Sequence, residues 1–175
     1  LAVGIFFLLA GFGDSGQNPV NIGNRRELFV DDYLIDKMDS TELQLHHPTP
    51  REVCLVTDEP WEGNTCGYFT IFQDDSLYRM YYRGSHSGEP GHREITCYAE
   101  SRDGIHWTKP DLGLHEFNGS KANNIVWDSL GTHNFTPFKD PNPVAKPEAR
   151  YKALGRAKEK GENVLYAFQS SDGIH

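Results

Sequence analysis

One phrase occurs twice in this chain, and that repetition restricts the folds open to it. YAESRDGIHW runs from Tyr98 to Trp107, and YAFQSSDGIH runs from Tyr166 to His175. The aspartates of the two copies, Asp103 and Asp172, lie 69 positions apart. A supersecondary unit that recurs at a fixed spacing indicates a repeat architecture. The second copy stops where the first has Trp107, so we expect the chain to be a fragment of a longer protein.

A looser echo lies upstream of each copy. YRMYYR at 78–83 matches YKALGR at 151–156 with a spacing of 73. The spacings differ by four, and SHSGEPGHREIT in the first copy is longer than AKEKGENV in the second. The two copies are therefore predicted to share strands and to differ in one loop between them.

Beyond its first residues the chain has the pattern of an all-β protein. Short segments rich in aromatic and β-branched residues alternate with Gly, Pro, Asp and Asn, and no convincing stretch has the 3.6-residue apolar spacing of an amphipathic helix. The predicted strand segments are RELFVDDYLID, CGYFTIF, LYRMYYR, EITCYAES, RYKALGR and NVLYAFQS.

A unit of about 70 residues with about four strands matches one blade of a β-propeller. Residues 18–175 would hold one complete copy, most of a second, and a first segment from Arg25 to about Asp58 that closes the ring with a missing C-terminus. A propeller needs about four blades or more. We therefore expect about two and a half antiparallel, four-stranded blades of an incomplete domain.

The repeated Ser-Xaa-Asp-Gly string is typical of a turn. Asp and Ser side chains bond backbone amides two residues on, and Gly supplies the positive φ of a tight hairpin. Asp103 and Asp172 are therefore predicted to form turns rather than to catalyse a reaction. Ile105 and Trp107 should point to one face of the next strand and pack between sheets.

The first thirteen residues, LAVGIFFLLAGFG, are apolar throughout. A bilayer span needs about 20 residues, so residues 1–17 are predicted to be the remnant of a signal peptide. The tail of a membrane anchor is the alternative. On the signal-peptide interpretation the protein is secreted or periplasmic, and its mature part has no stable membrane insertion.

Composition excludes some partners. The chain has 17 basic and 25 acidic residues and a formal charge of −8, which disfavours nucleic acid because that binding requires neutralised phosphates. The spacing of Cys54, Cys66 and Cys97 matches no zinc template, and we expect these residues to act as buried small hydrophobes. No metal or other cofactor is predicted.

Several of these segments together resemble a known group of bacterial proteins. RELFVDDYLID, PWE at 60–62, YRMYYR, SRDGIHW, NFTPFKDPNP and RYKALGR are similar to glycoside hydrolase family 32 N-terminal-domain-like proteins, over roughly residues 25–175. That group is similar to the five-bladed β-propeller hydrolases of families 32, 43, 62 and 68. The resemblance implies a five-bladed propeller.

The resemblance also implies three catalytic carboxylates in the propeller funnel. The first would be Asp31 or Asp32, with Asp31 favoured, and the second, which orients and stabilises, would be Asp140 in the FKDP string. Lys139 stands where the family has Arg, and the Glu acid is expected beyond residue 175. The chain lacks the Asn-Asp-Pro-Asn-Gly string of sucrose- and fructan-cleaving members, so invertase-like specificity is not expected.

The chemistry of glycoside hydrolysis requires a pair of carboxyl groups. One acid protonates the leaving oxygen and a second carboxylate acts as nucleophile or base, at about 5–5.5 Å for retention and about 6.5–9.5 Å for inversion. Asp31 and Asp32 are notable because they lie inside an apolar predicted strand, where an unpartnered carboxylate is costly. An edge-strand charge that blocks aggregation is the alternative for that pair, and a loop turn is the alternative for Asp140.

Four further residues are candidates for contacts with a sugar. Trp61 and Glu62 could form part of a binding wall, although packing between blades is the alternative for Trp61. His133 and Asn134 lie near Asp140 in sequence and could bind a sugar hydroxyl or a cation in the funnel.

The predicted function is hydrolysis of glycosidic bonds in a poly- or oligosaccharide by a secreted propeller. A non-catalytic propeller that binds glycan or protein is the first alternative. A sialidase-like enzyme, suggested by the Asp-box-like turn, is the second.

Overall fold

The computed structural model describes residues 20–175. Its contacts divide the chain into two compact units, Leu1–Thr49 and Pro50–His175. The predicted signal peptide, residues 1–17, lies outside the described residues. Between residues 20 and 175 no helix has the length and apolar character that crossing a bilayer requires.

The described part of the first unit, residues 20–49, contains no strand. The strand predicted for RELFVDDYLID does not form, and this segment consists of irregular backbone with bends and one turn. Leu28 and Val30 are 83% and 82% exposed, and the backbone bonds are local, as from Ile35 N to the carbonyl oxygen of Asp32 at 3.0 Å. An apolar run forms a stable strand only with neighbouring strands to pair with, and none pairs with it here.

The second unit is built from two antiparallel sheets. The first sheet has the order β1-β2-β3-β4, and β5 also pairs with β3. The fourth position beside β3 is therefore filled by two short pieces, which pair with opposite ends of β3. Its strands are β1 (Gly67–Asp74), β2 (Leu77–Ser85), β3 (Glu94–Ser101), β4 (Trp107–Thr108) and β5 (Ile125–Trp127).

The second sheet has three strands in the order β6-β7-β8. A single 3₁₀ turn at Pro147–Ala149 lies in the connection from β6 to β7. Its strands are β6 (His133–Lys139), β7 (Tyr151–Glu159) and β8 (Glu162–Ser170). The all-β class is confirmed for the described residues, which contain no α-helix, and neither sheet closes on itself.

Alternation along β2 and β3 divides the core into two clusters. One face carries Met80, Tyr82, Ile95, Cys97, Ala99 and Ile125, and Trp107 packs against it. The opposite face carries Tyr81, Tyr98 and Val126, against which Phe135 of β6 and Ile174 pack. The two clusters are separate because successive side chains of a strand point to opposite faces. Since Phe135 belongs to the second sheet, the second cluster joins the two sheets. Trp107 packs in the core as predicted, whereas Ile105 is exposed.

Strand register confirms that the two halves of this unit are copies. Tyr78 pairs with Ser101 in the first sheet, and Tyr151 pairs with Ser170 in the second. These pairs reproduce the spacings of 73 and 69 found in the sequence. Eight residues, 86–93, lie between the paired residues Ser85 and Glu94, and four, 159–162, lie between their counterparts Lys158 and Asn163. The predicted difference in loop length is confirmed.

The Ser-Xaa-Asp-Gly turn has the same hydrogen bonds in both copies. Ser101 Oγ accepts from Gly104 N at 2.9 Å, and Asp103 Oδ1 accepts from the amides of Ile105 and His106 at 2.9 and 2.8 Å. Ser170 and Asp172 repeat these contacts at 2.9, 2.8 and 2.8 Å. The glycines have φ of +77° and +81°. The prediction that both aspartates form turns is confirmed.

All three cysteines are free, and their burial differs. Cys97 is buried in the core as expected, Cys66 is half-buried, and Cys54 is exposed. Burial raises the pKa of the Cys66 and Cys97 thiols. The expectation of a buried small hydrophobe is therefore met by Cys97 and does not hold for Cys54.

Candidate functional site

Comparing the two copies separates residues of the repeated framework from residues unique to one place. Asp74 ends β1 and contacts Arg79 of β2, with 2.6 Å between Asp74 Oδ2 and Arg79 Nε. At the corresponding positions of the second sheet, Asp140 accepts a hydrogen bond from Lys152 Nζ at 2.5 Å. An ion pair that recurs in both copies is part of the framework.

Asp74 is the more enclosed of the two carboxylates. Its Oδ1 accepts from Lys139 Nζ at 2.5 Å, and its Oδ2 accepts from the Tyr151 hydroxyl at 2.7 Å. Burial by itself would raise the pKa of Asp74, but the hydrogen bonds from Lys139 and Tyr151 and the charge of Arg79 outweigh it and lower that pKa. Because Lys139 and Tyr151 belong to the second sheet, Asp74 ties the two sheets together.

Asp140, a predicted catalytic residue, is held in a local network. In addition to Lys152, its carboxylate accepts from Asn142 N at 2.9 Å. The hydrogen bonds from Lys152 and from this amide lower the pKa of Asp140. Lys139, the expected basic neighbour, donates to Asp74 instead. A catalytic role for Asp140 stays a prediction, and its contacts are those of a strand-end turn.

Asp31 and Asp32 belong to the first unit and are both exposed. Asp31 Oδ1 accepts from Tyr33 N at 3.0 Å, the contact of a local turn. The strand in which these carboxylates were expected to be buried does not form, so the burial cost that favoured a functional role does not arise. Their catalytic role stays a prediction.

The structure places Glu62 in the interior rather than on an open wall, with 0% of the residue exposed. Its carboxylate accepts from the Tyr82 hydroxyl at 2.5 Å, from Lys109 Nζ at 2.9 Å and from Glu59 N at 2.8 Å. Burial first, then the neighbouring Cys97, and then the hydrogen bond and charge of Glu62 raise the pKa of Tyr82 far above its usual range. Tyr82 therefore remains a hydrogen-bond donor to Glu62.

Trp61 extends the same network. Its indole Nε1 donates to Asn124 Oδ1 at 2.6 Å, and Asn124 Nδ2 donates to the Tyr82 hydroxyl at 2.9 Å. The Trp61 ring also contacts Phe117 edge-on, with 6.4 Å between the ring centroids. These are the contacts of a residue that packs the core, which is the alternative considered for Trp61.

His133, predicted to bind substrate, lines an open pocket of about 560 Å³ at one end of the two sheets. Glu94 lines it at the start of β3, and Arg156 lines it near the end of β7. We call this the Glu94 pocket. Its lining residues are His92, Glu94, Ser129, Leu130, Gly131, Thr132, His133, Arg156, Ala157 and Lys158.

Glu94 is the centre of a cluster beside this pocket. Its Oε1 lies 3.1 Å from Arg83 Nη1, and His133 Nδ1 lies 3.1 Å from both carboxylate oxygens. His92 Nε2 is 3.7 Å from Glu94 Oε1. The Arg83 guanidinium lies over the ring of Tyr68, 4.4 Å from the ring centroid. A carboxylate, a guanidinium group, two imidazoles and an aromatic ring therefore lie close together beside the Glu94 pocket.

The backbone at Tyr68 is strained. Tyr68 has φ of +54°, and Asn134 at the corresponding place in β6 has φ of +56°. Both lie at irregularities in the register of their strands. Asn tolerates this left-handed region, whereas a bulky side chain there is uncommon. The bulge belongs to the framework, and only the first copy places an aromatic ring there under an arginine.

One wall of the pocket is fixed by a close backbone approach. A Cβ added to Gly155 would lie 2.0 Å from the carbonyl oxygen of Gly131, and Gly131 itself has φ of +90°. The segment before Gly131 is anchored by an ion pair between Arg93 and Asp128. The wall is therefore in place before any ligand arrives.

The structure separates residues that the sequence grouped. His133 begins β6 and Asp140 follows its last residue, so at about 3.3 Å per residue about 23 Å of strand lies between them. Asn134 is exposed beside His133. Sequence reasoning missed Glu94, Arg83 and His92, although alignment of the copies sets Glu94 against Asn163 and so marks it as unique to the first copy.

Within residues 20–175, no three His, Cys, Asp or Glu side chains form a group suited to hold a metal ion. Comparison with known proteins finds no matching family model, no matching curated protein and no matching solved structure.

Proposed function

We propose that this chain is part of a secreted, carbohydrate-active five-bladed β-propeller and that it binds a saccharide in the Glu94 pocket. The carrying observation is that Glu94, with Arg83 and His133 bonded to it, lies at the mouth of an open pocket. Carboxylates, imidazoles and guanidinium groups suit sugar hydroxyls because they offer strong acceptors and donors.

The repeated sheets support the propeller in this proposal. The first sheet has the meander order β1-β2-β3-β4 of a four-stranded blade, and the second repeats the first three strands with the same register. The sequence resemblance to five-bladed propeller hydrolases supports the blade number.

Glycosidic hydrolysis is the second candidate, and the same resemblance favours it. The reaction needs two carboxylates about 5–9.5 Å apart. Glu94 is the one carboxylate among the lining residues of the described pocket. Hydrolysis by this pocket therefore requires a second acid from outside that lining, whereas saccharide binding requires none.

Substitution of Glu94 tests the binding proposal. Glu94→Gln in the full chain should weaken about tenfold the binding of any oligosaccharide that the wild-type chain binds, because a charged hydrogen-bond acceptor is lost. Isothermal titration with a panel of neutral and acidic oligosaccharides measures this. Glu162→Gln is the matched control, since Glu162 begins β8 as Glu94 begins β3 and is exposed.

Two outcomes contradict the proposal. One is that no saccharide of the panel binds the folded wild-type chain, and the other is that Glu94→Gln and Glu162→Gln bind equally well. For hydrolysis, Asp31→Asn, Asp140→Asn and Glu94→Gln should each be assayed for reducing-sugar release. Full activity in all three excludes these carboxylates as catalytic residues.

A further inference from the structure

The Glu94 pocket has a charge opposite to that of the chain. The chain carries −8 overall, yet the pocket is lined by Arg156, Lys158, His92 and His133 against the single carboxylate of Glu94. That carboxylate is already paired with Arg83, which lies 3.1 Å away. The cations of Arg156 and Lys158 therefore have no opposing charge in the lining.

We propose that this pocket recognises the anionic group of an acidic saccharide, either a carboxylate or a sulfate ester. This inference rests on the saccharide binding proposed above and adds the class of sugar. A concave surface with an excess of one sign of charge concentrates ligands of the opposite sign. Guanidinium groups are especially suited to carboxylate and sulfate oxygens because they donate two parallel hydrogen bonds.

Arg156 is the residue placed to make that contact. Its Nε and Nη2 donate to Asn163 Oδ1 at 3.2 and 2.8 Å, which orients the guanidinium. Its Nη1 has no hydrogen-bond partner in residues 20–175. The corresponding arginine of the first copy, Arg83, is occupied by Glu94. The second copy thus holds an oriented guanidinium with a free donor, because Asn163 replaces the acid.

Lys158 provides the second positive charge. It lies on β7 two residues beyond Arg156 and is exposed. Side chains two apart on a strand share a face, so both cations serve one side of the pocket. Lys158 has no ion pair within the described part of the chain. The Glu94 carboxylate remains available to accept a hydrogen bond from a hydroxyl of the same sugar. Because Arg83 neutralises its charge, it does not repel the anionic group of that sugar.

Three matched monosaccharides test the inference: galactose, galacturonate and galactose 6-sulfate, with inorganic sulfate as a fourth probe. Titration calorimetry of the full chain at low salt should give at least one acidic sugar an affinity about tenfold higher than that of galactose. That advantage should shrink as sodium chloride rises, because exposed charges are screened. The acidic sugar that gains affinity identifies carboxylate or sulfate.

Substitutions locate the effect. The double variant Arg156→Gln, Lys158→Gln should bind the acidic sugar no better than galactose, and Lys160→Gln, an exposed lysine of the adjacent turn, should keep the advantage. Circular dichroism verifies that the variants fold, and the salt titration of wild type tests the inference even if they do not.

The other outcomes overturn the inference, and they distinguish it from the binding proposal. Equal affinity for galactose and both acidic sugars overturns the acidic class and leaves saccharide binding standing. If inorganic sulfate binds as tightly as galactose 6-sulfate, the pocket recognises the anion alone and not the sugar, which overturns the inference. No binding of these monosaccharides or of any member of the oligosaccharide panel overturns both proposals together.

Discussion

At the scale of single residues, the serine hydroxyl of the repeated turn takes part in three hydrogen bonds. Ser101 is buried, donates to Asp103 Oδ1 at 3.0 Å and accepts from the amides of Asp103 and Gly104. It therefore holds the carboxylate that in turn holds the next two amides. An intramolecular hydrogen bond of this kind contributes about 0.5–1.5 kcal/mol to stability.

Ser101→Ala should lower the free energy of unfolding by about 1 kcal/mol, because the partly exposed amides of Asp103 and Gly104 lose their acceptor. Urea unfolding followed by tryptophan fluorescence measures the change. Ser171→Ala is the control, since Ser171 is exposed at the variable position of the second turn. Equal stability of the two variants would show that the serine hydroxyl contributes nothing to the turn.

At the scale of elements, the contact between β7 and the segment before β6 constrains the pocket. The Gly155 backbone and the Gly131 carbonyl leave no room for a methyl group. Gly155 has no positive φ, so the requirement for glycine there comes from space alone.

Gly155→Ala should destabilise the protein by about 2 kcal/mol or more, because the backbone of Gly131 must move to admit a Cβ. Thermal unfolding measures the loss, and saccharide titration should show weaker binding in the displaced pocket. Gly67→Ala is the control: Gly67 lies in β1, has no positive φ, and a Cβ there meets nothing within 4 Å. A Gly155→Ala protein as stable as Gly67→Ala would contradict the close approach.

The copied elements were predictable from the sequence, and the reason is local. The spacings of the YAES and YAFQ phrases gave the hairpins and their turns because strand register and turn chemistry depend on nearby residues. The segment 26–36 was mispredicted because its strand-like composition supplies no partner strand. The Glu94 cluster was only partly found. His133 was named, but Arg83 and Glu94 lie 50 and 39 residues earlier and reach it from the other sheet, a contact that depends on how the two sheets pack.

At the scale of the whole second unit, Asp74 joins the two sheets. It receives Lys139 and Tyr151 from the second sheet and Arg79 from the first. Arg79 also donates to the Asp172 carbonyl oxygen at 2.9 Å, and Tyr81 donates to the Gly173 carbonyl oxygen at 2.9 Å. Breaking a buried charge pair of this kind costs about 3–5 kcal/mol.

Asp74→Asn should therefore lower the melting temperature at pH 7, and the difference from wild type should narrow in acid. The folded state lowers the pKa of Asp74, so its contribution is complete above the unfolded value of about 4 and is lost as pH falls through the folded pKa. Melting curves between pH 7 and pH 2 measure the difference.

Asp75→Asn is the matched control for this pH series. The Asp75 side chain is 89% exposed and pairs with Lys139 at 3.2 Å, and an exposed ion pair contributes little to stability. The wild-type and Asp75→Asn proteins should melt together at every pH. A gap between wild type and Asp74→Asn that stays constant down to pH 2 would mean that the Asp74 charge does not stabilise the junction of the sheets.

The longer hairpin of the first copy adds one residue, His92, to a pocket lined otherwise by strands and by the segment before β6. The second copy closes the same register with four residues where the first uses eight, and His92 and Arg93 lie among those eight. Transplanting Glu-Lys-Gly-Glu from 159–162 in place of 86–93 should leave β2 and β3 paired while removing His92 from the pocket and Arg93 from Asp128. The exchange removes only His92 from the pocket lining, because Glu94, Arg156 and Lys158 keep their places on β3 and β7. It therefore separates what the loop adds to the pocket from what the strands supply.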